Sequence, residues 1–266
     1  MNMPTVDSQT PPLVTVVTAC GGNPLLERCV ASVAAQTWPR VQHLLMADGP
    51  GRHQMVRETL ARAPTGLESG HRRELIELPY AVGVDRWAGH RIYGAGTFLG
   101  DGDYFAFLDD DNAYLPEHIA DCMAVIESGR PWTYALRNIV DEQHRFICRD
   151  ECESLGRWPS VLDEQDYMID VNCYFLPRRL ALQIAPLWFR RYREPGQMEI
   201  DRVICRALLS IAPEVDGTYR HTVNYRVGNS PLSVRPDFFI QGNARMLARY
   251  AGKLPWAREA TDRPEQ

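Results

Sequence analysis

Three consecutive carboxylates, Asp109, Asp110 and Asp111, close the apolar run Tyr104–Leu108, and Asn112 follows them. The run predicts a buried strand, with aromatic and branched residues, Gly102-Asp103 ahead of it and Pro116 soon after. Three acids at one strand end must share a small volume. Two unit charges ~4 Å apart repel by about 1 kcal/mol in water and by about 4 kcal/mol at an effective dielectric of ~20. A hard divalent cation removes that cost, and carboxylate oxygens are the ligands Mg²⁺ and Mn²⁺ prefer. The plainer alternative is a solvated acidic turn capping the helix at Pro116, with Asp109 or Asp110 satisfied by backbone N–H groups. A second acidic pair, Glu199 and Asp201, opens an apolar helix, where first-turn acids also complement the helix dipole. His144, Cys148 and Cys152 fall at i, i+4, i+8, but a zinc site would want a fourth ligand that the neighbouring sequence lacks.

The elements that must position these groups alternate. Leu13–Thr18 is a β-branched strand. After Gly21-Gly22, Asn23 suits an N-cap and Pro24 a first helical position, and Leu26, Cys29, Val30 and Val33 then form one helical face. His43–Ala47 predicts a second strand ending at Asp48-Gly49-Pro50, and a helix runs from about His53 to Arg62. Glu74–Leu78 predicts a third strand, Asp85–Leu99 a helix, and the strand reaching the aspartates is fourth. This order predicts an α/β fold with a mostly parallel sheet, right-handed crossovers and helices on both faces. Ligands bind such sheets beyond the carboxyl ends of the strands. Thr18, Asp48 and Asp109–Asp111 share that rim.

The second half is less regular. Pro116 opens a helix carrying Ile119, Cys122, Met123 and Ile126, closed near Gly129, and Trp132–Val140 and Asn172–Leu176 predict strands. In the helix Glu199–Ile211, an apolar stripe of Ile200, Val203, Ile204, Ala207, Leu208 and Ile211 leaves Glu199 and Asp201 off the buried face. Tyr219–Val227 alternates like a strand, and Arg226–Pro236 is a turn-rich loop long enough for a lid.

Composition bounds the function. A chain of 266 residues with 45% hydrophobic content can bury a sizeable core, and its net charge of −5 offers no footprint for nucleic acid. No run reaches the ~18 apolar residues of a transmembrane segment, and Met1–Pro12 is not built like a signal peptide. Seven cysteines without a CxxC fit the reducing cytoplasm. The expected organisation is a flexible start (1–12), one domain (13–252) and a flexible tail (253–266), with no sign of the oligomeric state.

From Leu13 to Val227 the chain resembles nucleotide-sugar glycosyltransferases of the GT-A fold, family 2, which are inverting enzymes. The likeness rests on Val14-Thr-Val-Val-Thr18, Ala31-Ser32-Val33 through Gln36-Thr37, Asp48-Gly49, and Gly102-Asp-Tyr-Phe-Ala-Phe-Leu-Asp-Asp-Asp-Asn112 with Leu115-Pro116. The resemblance implies a Rossmann-like mostly parallel sheet, a nucleotide-sugar-binding half (13–115) and an acceptor-side half (116–252). It puts Thr18 and Asp48 at the nucleotide base and Asp109, with Asp110, beside the donor. Asp109 and Asp111 fit the Asp-x-Asp motif that holds Mn²⁺ or Mg²⁺ against the diphosphate. Arg91, with Arg86 as fallback, takes the place of a basic residue near the diphosphate, and His221 that of a late third metal ligand. The family's catalytic base, in a Glu-Asp-x-Asp pattern, falls on Glu199, or on Asp201, because Met198-Glu199-Ile200-Asp201 breaks the pattern. Ala47-Asp48-Gly49-Pro50 likewise replaces the usual paired aspartates.

The implied reaction moves one sugar from a nucleoside-diphosphate sugar, UDP-sugar favoured, to a hydroxyl of a small molecule or glycan. With no Gln-x-x-Arg-Trp segment, it is non-processive. The transfer needs one carboxylate to accept the hydroxyl proton and a cation to neutralise the leaving group. Acceptor contacts are expected among Trp158, Asp163, Tyr167, Asp170 and Asn172. A nucleotidyltransferase would want a cation in the loop Ala19–Asn23, which has none, and a non-catalytic module would not need the acidic strand end.

Overall fold

The computed structural model describes residues 10–67, 70–85, 87–190, 199–228 and 233–257. Arg86, Met198, most of both termini and the middle of the 226–236 loop lie outside the described residues.

Seven-residue strands β1 (Val14–Cys20) and β2 (Val41–Ala47) are buried along their whole length, as a sheet covered on both faces requires. Around them run α1 (Leu26–Ala34), α2 (Pro50–Arg62), β3 (Arg72–Glu77), α3 (His90–Leu99) and β4 (Tyr104–Asp109). The order β3-β2-β1-β4 is parallel throughout, and the register pairs Val14 with both Val41 and Tyr104. The predicted face of α1 (Leu26, Cys29, Val30, Val33) is buried, and Leu26 and Val30 pack with Val56 and Leu60 of α2 in a small core of their own.

The second half extends the sheet with changed polarity. It comprises β5 (Ala113–Tyr114), α4 (His118–Glu127), β6 (Thr133–Val140), β7 (Phe146–Arg149), β8 (Tyr174–Pro177), α5 (Arg178–Ile184), α6 (Ile200–Ile211), β9 (Asp216–Arg226) and α7 (Pro236–Arg249). β8 pairs antiparallel with β4 and β6, β6 runs parallel to β9, β9 pairs antiparallel with β5, and β7 edges β6. Among the described residues nine strands thus form one sheet, and the main core lies under α3, α4, α5 and α6.

Several boundaries moved for local reasons. α1 begins at Leu26, because Asn23 closes a turn instead, its side chain accepting from the Leu25 N–H at 3.0 Å. α2 begins at Pro50, behind Gly49 at φ 89°, where a Cβ would meet the Ala81 backbone nitrogen at 2.6 Å. α3 begins at His90, not Asp85: Asp85 and Ala88 take left-handed φ values, so this stretch becomes a loop beside the strand ends. Packing also passes the expected boundary at residue 252. Trp256 is buried and its indole N–H donates to Glu151 at 2.5 Å. Among the described residues no helix is long and apolar enough to cross a membrane.

Candidate active site

A cleft of about 630 Å³ opens at the carboxyl ends of β1, β2 and β4, within the size range of ligand pockets. Asp109, Asp110 and Asp111 line it together with Asp48, Arg52 and Arg226. The three aspartates have three different environments. Asp109 Oδ1 accepts from the Tyr93 hydroxyl, and Oδ2 accepts from Asn172 Nδ2 at 2.8 Å and Asn112 Nδ2 at 3.4 Å. Burial, then the charges of Asp111 and Asp170, push its pKa up to about 7. Asp110 Oδ2 collects the backbone N–H groups of Gly21, Gly22 and Asn23 at 2.8, 3.1 and 3.2 Å. A buried N–H left unpaired costs ~1–3 kcal/mol, so Asp110 shapes the cleft floor by fixing this turn. Burial raises its pKa to about 6 even against those bonds. Asp111 faces Arg226 at 3.6 Å, and its backbone carbonyl accepts from His144 Nε2 at 3.0 Å.

Asp48 also lines the cleft, and its two oxygens accept the N–H groups of Val82 and Gly83 at 2.6 and 3.0 Å. Gly83 leaves room for this, since a Cβ there would lie 2.6 Å from Asp48 Oδ2. Asp48 therefore braces the loop ahead of α3.

Other expected residues sit elsewhere. Thr18 is fully buried, and its hydroxyl meets His43 Nε2 at 2.9 Å, so it faces the core and not a base pocket. Arg91 stacks over Trp87 at 3.8 Å and donates to the Val82 carbonyl at 3.4 Å, supporting the loop from outside the cleft. His221 lies away from the acidic strand end: its Nε2 is 3.4 Å from Glu151, and burial lowers its pKa to about 4. It is not placed to ligate a cation held at Asp111. Among the described residues no three His, Cys, Asp or Glu side chains form a metal-binding group, which also leaves the His144-Cys148-Cys152 zinc arrangement without support. The acidic pair of α6 divides. Glu199, at the helix N-terminus, is 76% exposed and accepts from Arg202 at 2.7 Å. Asp201 is instead half-buried, contrary to the amphipathic expectation, with its Oδ1 covered and lacking a hydrogen-bond partner. Burial first, then Asp170 and Asp109, pushes its pKa well above the usual carboxylate range.

The family model for glycosyl transferase family 2 matches residues 15–148, half of the chain. The chain belongs to glycosyltransferase family 2. Among curated proteins no sequence matches it. Solved structures show the same fold at low identity. S. aureus TarS aligns at TM-score 0.55 and 12% identity over 81% of this chain and 37% of its own. TarS 1–349 in complex with UDP-GlcNAc aligns at 0.57 and 12%, over 89% and 67%. The mannosyltransferase PcManGT from Pyrobaculum calidifontis, with GDP-Man and Mn²⁺, aligns at 0.53 and 14%, over 79% and 56%. This chain thus spans little more than a third of the TarS chain.

Three further residues at the site of this family 2 chain carry little signal in the sequence. Arg226 opens the turn-rich loop of the sequence, yet Asn112 Oδ1 accepts its backbone N–H at 2.9 Å and so draws the end of β9 to the acidic strand end. Arg52, in the first turn of α2, needs the observed start at Pro50 to reach the cleft. Tyr93, two residues beyond Arg91 in α3, carries the hydroxyl that meets Asp109.

Proposed function

We propose that this glycosyltransferase moves one sugar from a nucleoside-diphosphate sugar, UDP-sugar favoured, to an acceptor hydroxyl, non-processively and with inversion. One observation carries the reading: two unequal carboxylates, Asp109 and Asp111, line a cleft together with Arg52 and Arg226, Arg226 lying 3.6 Å from Asp111. The donor set suits Mn²⁺ or Mg²⁺, which bind through one or two carboxylates and fill the remaining positions with phosphate and water. Asp109 and Asp111 would hold that ion, and when bound it supplies neutralisation of charge on the departing nucleoside diphosphate. Arg226 and Arg52 add fixed positive charge nearby, taking the part first assigned to Arg91. Asp48 holds the loop 82–83 that forms the nucleotide side of the cleft, so it serves the base pocket through backbone as well as directly.

Glu199 is the general base in this reading. It is solvent-facing, so an incoming hydroxyl has access to it, and Arg202 fixes its direction. Asp201 is half-buried, and burial with the charges of Asp170 and Asp109 disfavours the ionised form that a base needs. A triphosphate-binding nucleotidyltransferase fits less well, because the Gly21–Asn23 amides it would use already serve Asp110. The UDP preference draws support from the UDP-GlcNAc complex of TarS, and the metal from the Mn²⁺ complex of PcManGT.

The pH dependence of metal binding tests the site. With a pKa of about 7, Asp109 is mostly protonated at pH 6 and charged at pH 8, and a metal must displace that proton. Mn²⁺ affinity measured by calorimetry, without nucleotide, is expected to rise about tenfold from pH 6 to pH 8 and then level off. An affinity flat across that range would remove Asp109 from the ligand set.

A further inference from the structure

Arg137 is a charged residue inside β6, 1% exposed, and no step of the proposed reaction uses it. Its guanidinium donates from Nε to Asp150 at 2.8 Å, from one terminal nitrogen to Asp170 at 2.6 Å and from the other to Glu153 at 2.7 Å. Two of these carboxylates lead to the active site. Asp170 Oδ1 accepts both the backbone N–H (3.0 Å) and the side-chain amide (2.7 Å) of Asn172. Asn172 in turn donates to Asp109 Oδ2 at 2.8 Å and accepts the Asp109 backbone N–H at 2.7 Å. Its side-chain amide bridges Asp170 and Asp109, one hydrogen to each. On the other side Glu153 lies 3.5 Å from Arg202, which donates to Glu199 at 2.7 Å. The same guanidinium lies 4.2 Å from the ring centre of Tyr225, which lines the cleft beside Arg226.

We infer that Arg137 is a positioning residue that sets Asp109, through Asp170 and Asn172, and Glu199, through Glu153 and Arg202, in one frame. The inference rests on the reading of Asp109 as a cation ligand and Glu199 as the base. A buried ion cluster is by itself weak evidence for stability, since apolar packing of equal volume often does as well. Orientation is a task apolar packing cannot perform: a carboxylate keeps one rotamer in a polar cleft when each oxygen has a fixed donor. Groups behind metal ligands commonly change metal affinity by 10–100-fold when removed. A fork of donors matters here, because Lys offers a point charge and cannot hold three carboxylates in one plane.

Mn²⁺ affinity, followed by paramagnetic resonance of the free ion well below each melting temperature, tests this in wild type, Arg137→Lys and Asp170→Asn. Asp170→Asn keeps the guanidinium and its two other carboxylates, so it decides the matter if Arg137→Lys does not fold. Both variants are expected to bind Mn²⁺ about tenfold or more weakly while melting cooperatively. Variants that melt earlier but bind Mn²⁺ like wild type would assign the cluster to stability alone and overturn the inference, leaving the donor site standing. A wild-type protein that binds no Mn²⁺ would overturn the donor-site reading, and the inference with it.

Discussion

Asp111→Asn is expected to abolish sugar transfer, by about 10³-fold or more, with the fold intact. The side chain sits at the cleft surface with Arg226 as its charged neighbour, and Asn keeps its volume. What Asn loses is the negative charge that holds a cation where the leaving group's charge develops. That electrostatic contribution is worth several kcal/mol, and each 1.36 kcal/mol is a factor of ten in rate. Product formation and circular dichroism, measured together, separate loss of chemistry from loss of structure. Full activity in the variant, or in wild type with excess EDTA, would remove the metal from the account.

Glu199→Gln is expected to keep donor affinity and lower turnover by ~10²–10⁴-fold, the usual size of a general-base contribution. Glu199 is the extended N-cap of α6 and exposed, whereas Asp201 is half-buried in its first turn, so they cannot serve one hydroxyl equally. Asp201→Asn replaces an acid whose surroundings disfavour its charge with an amide of nearly the same shape, and turnover is expected to change little. Retained turnover in Glu199→Gln together with loss in Asp201→Asn would transfer the role. The product should carry the anomeric configuration opposite to the donor's, and a retained configuration would reject single displacement whichever carboxylate acts.

Much of the scaffold was legible because its signals are local. The β-branched run of β1, the 3.6-residue spacing of Leu26, Cys29, Val30 and Val33, and the aspartates ending β4 each report on neighbours in sequence, and the parallel half follows from them. Thr18 departs from expectation for a physical reason. In a strand buried on both faces no alternation tells which way a residue points, and this one points at His43. Asp201 departs from expectation because an apolar stripe fixes a helix's buried face but not whether a flanking acid is partly covered by another element. Arg91 and Arg226 exchanged expectations for a related reason: a cation's role depends on which aromatic or carboxylate the tertiary fold brings to it. The frame behind Asp109 joins residues 13 to 63 positions apart, beyond any motif. Arg137 itself left one readable sign, a lone charge in Thr133–Val140, since a charge inside a buried strand must find partners.

Calorimetric titration of wild-type protein with UDP, GDP and dTDP, in Mn²⁺ and again in EDTA, tests most directly whether the cleft is a metal-assisted donor site. One of the three, UDP by this account, is expected to bind with Mn²⁺ and to lose at least tenfold in affinity in EDTA. At 100 times its dissociation constant it would add ~2.7 kcal/mol of stability, visible as a rise in melting temperature. Absence of binding by all three in Mn²⁺, or equal affinity with and without the metal, would contradict the account.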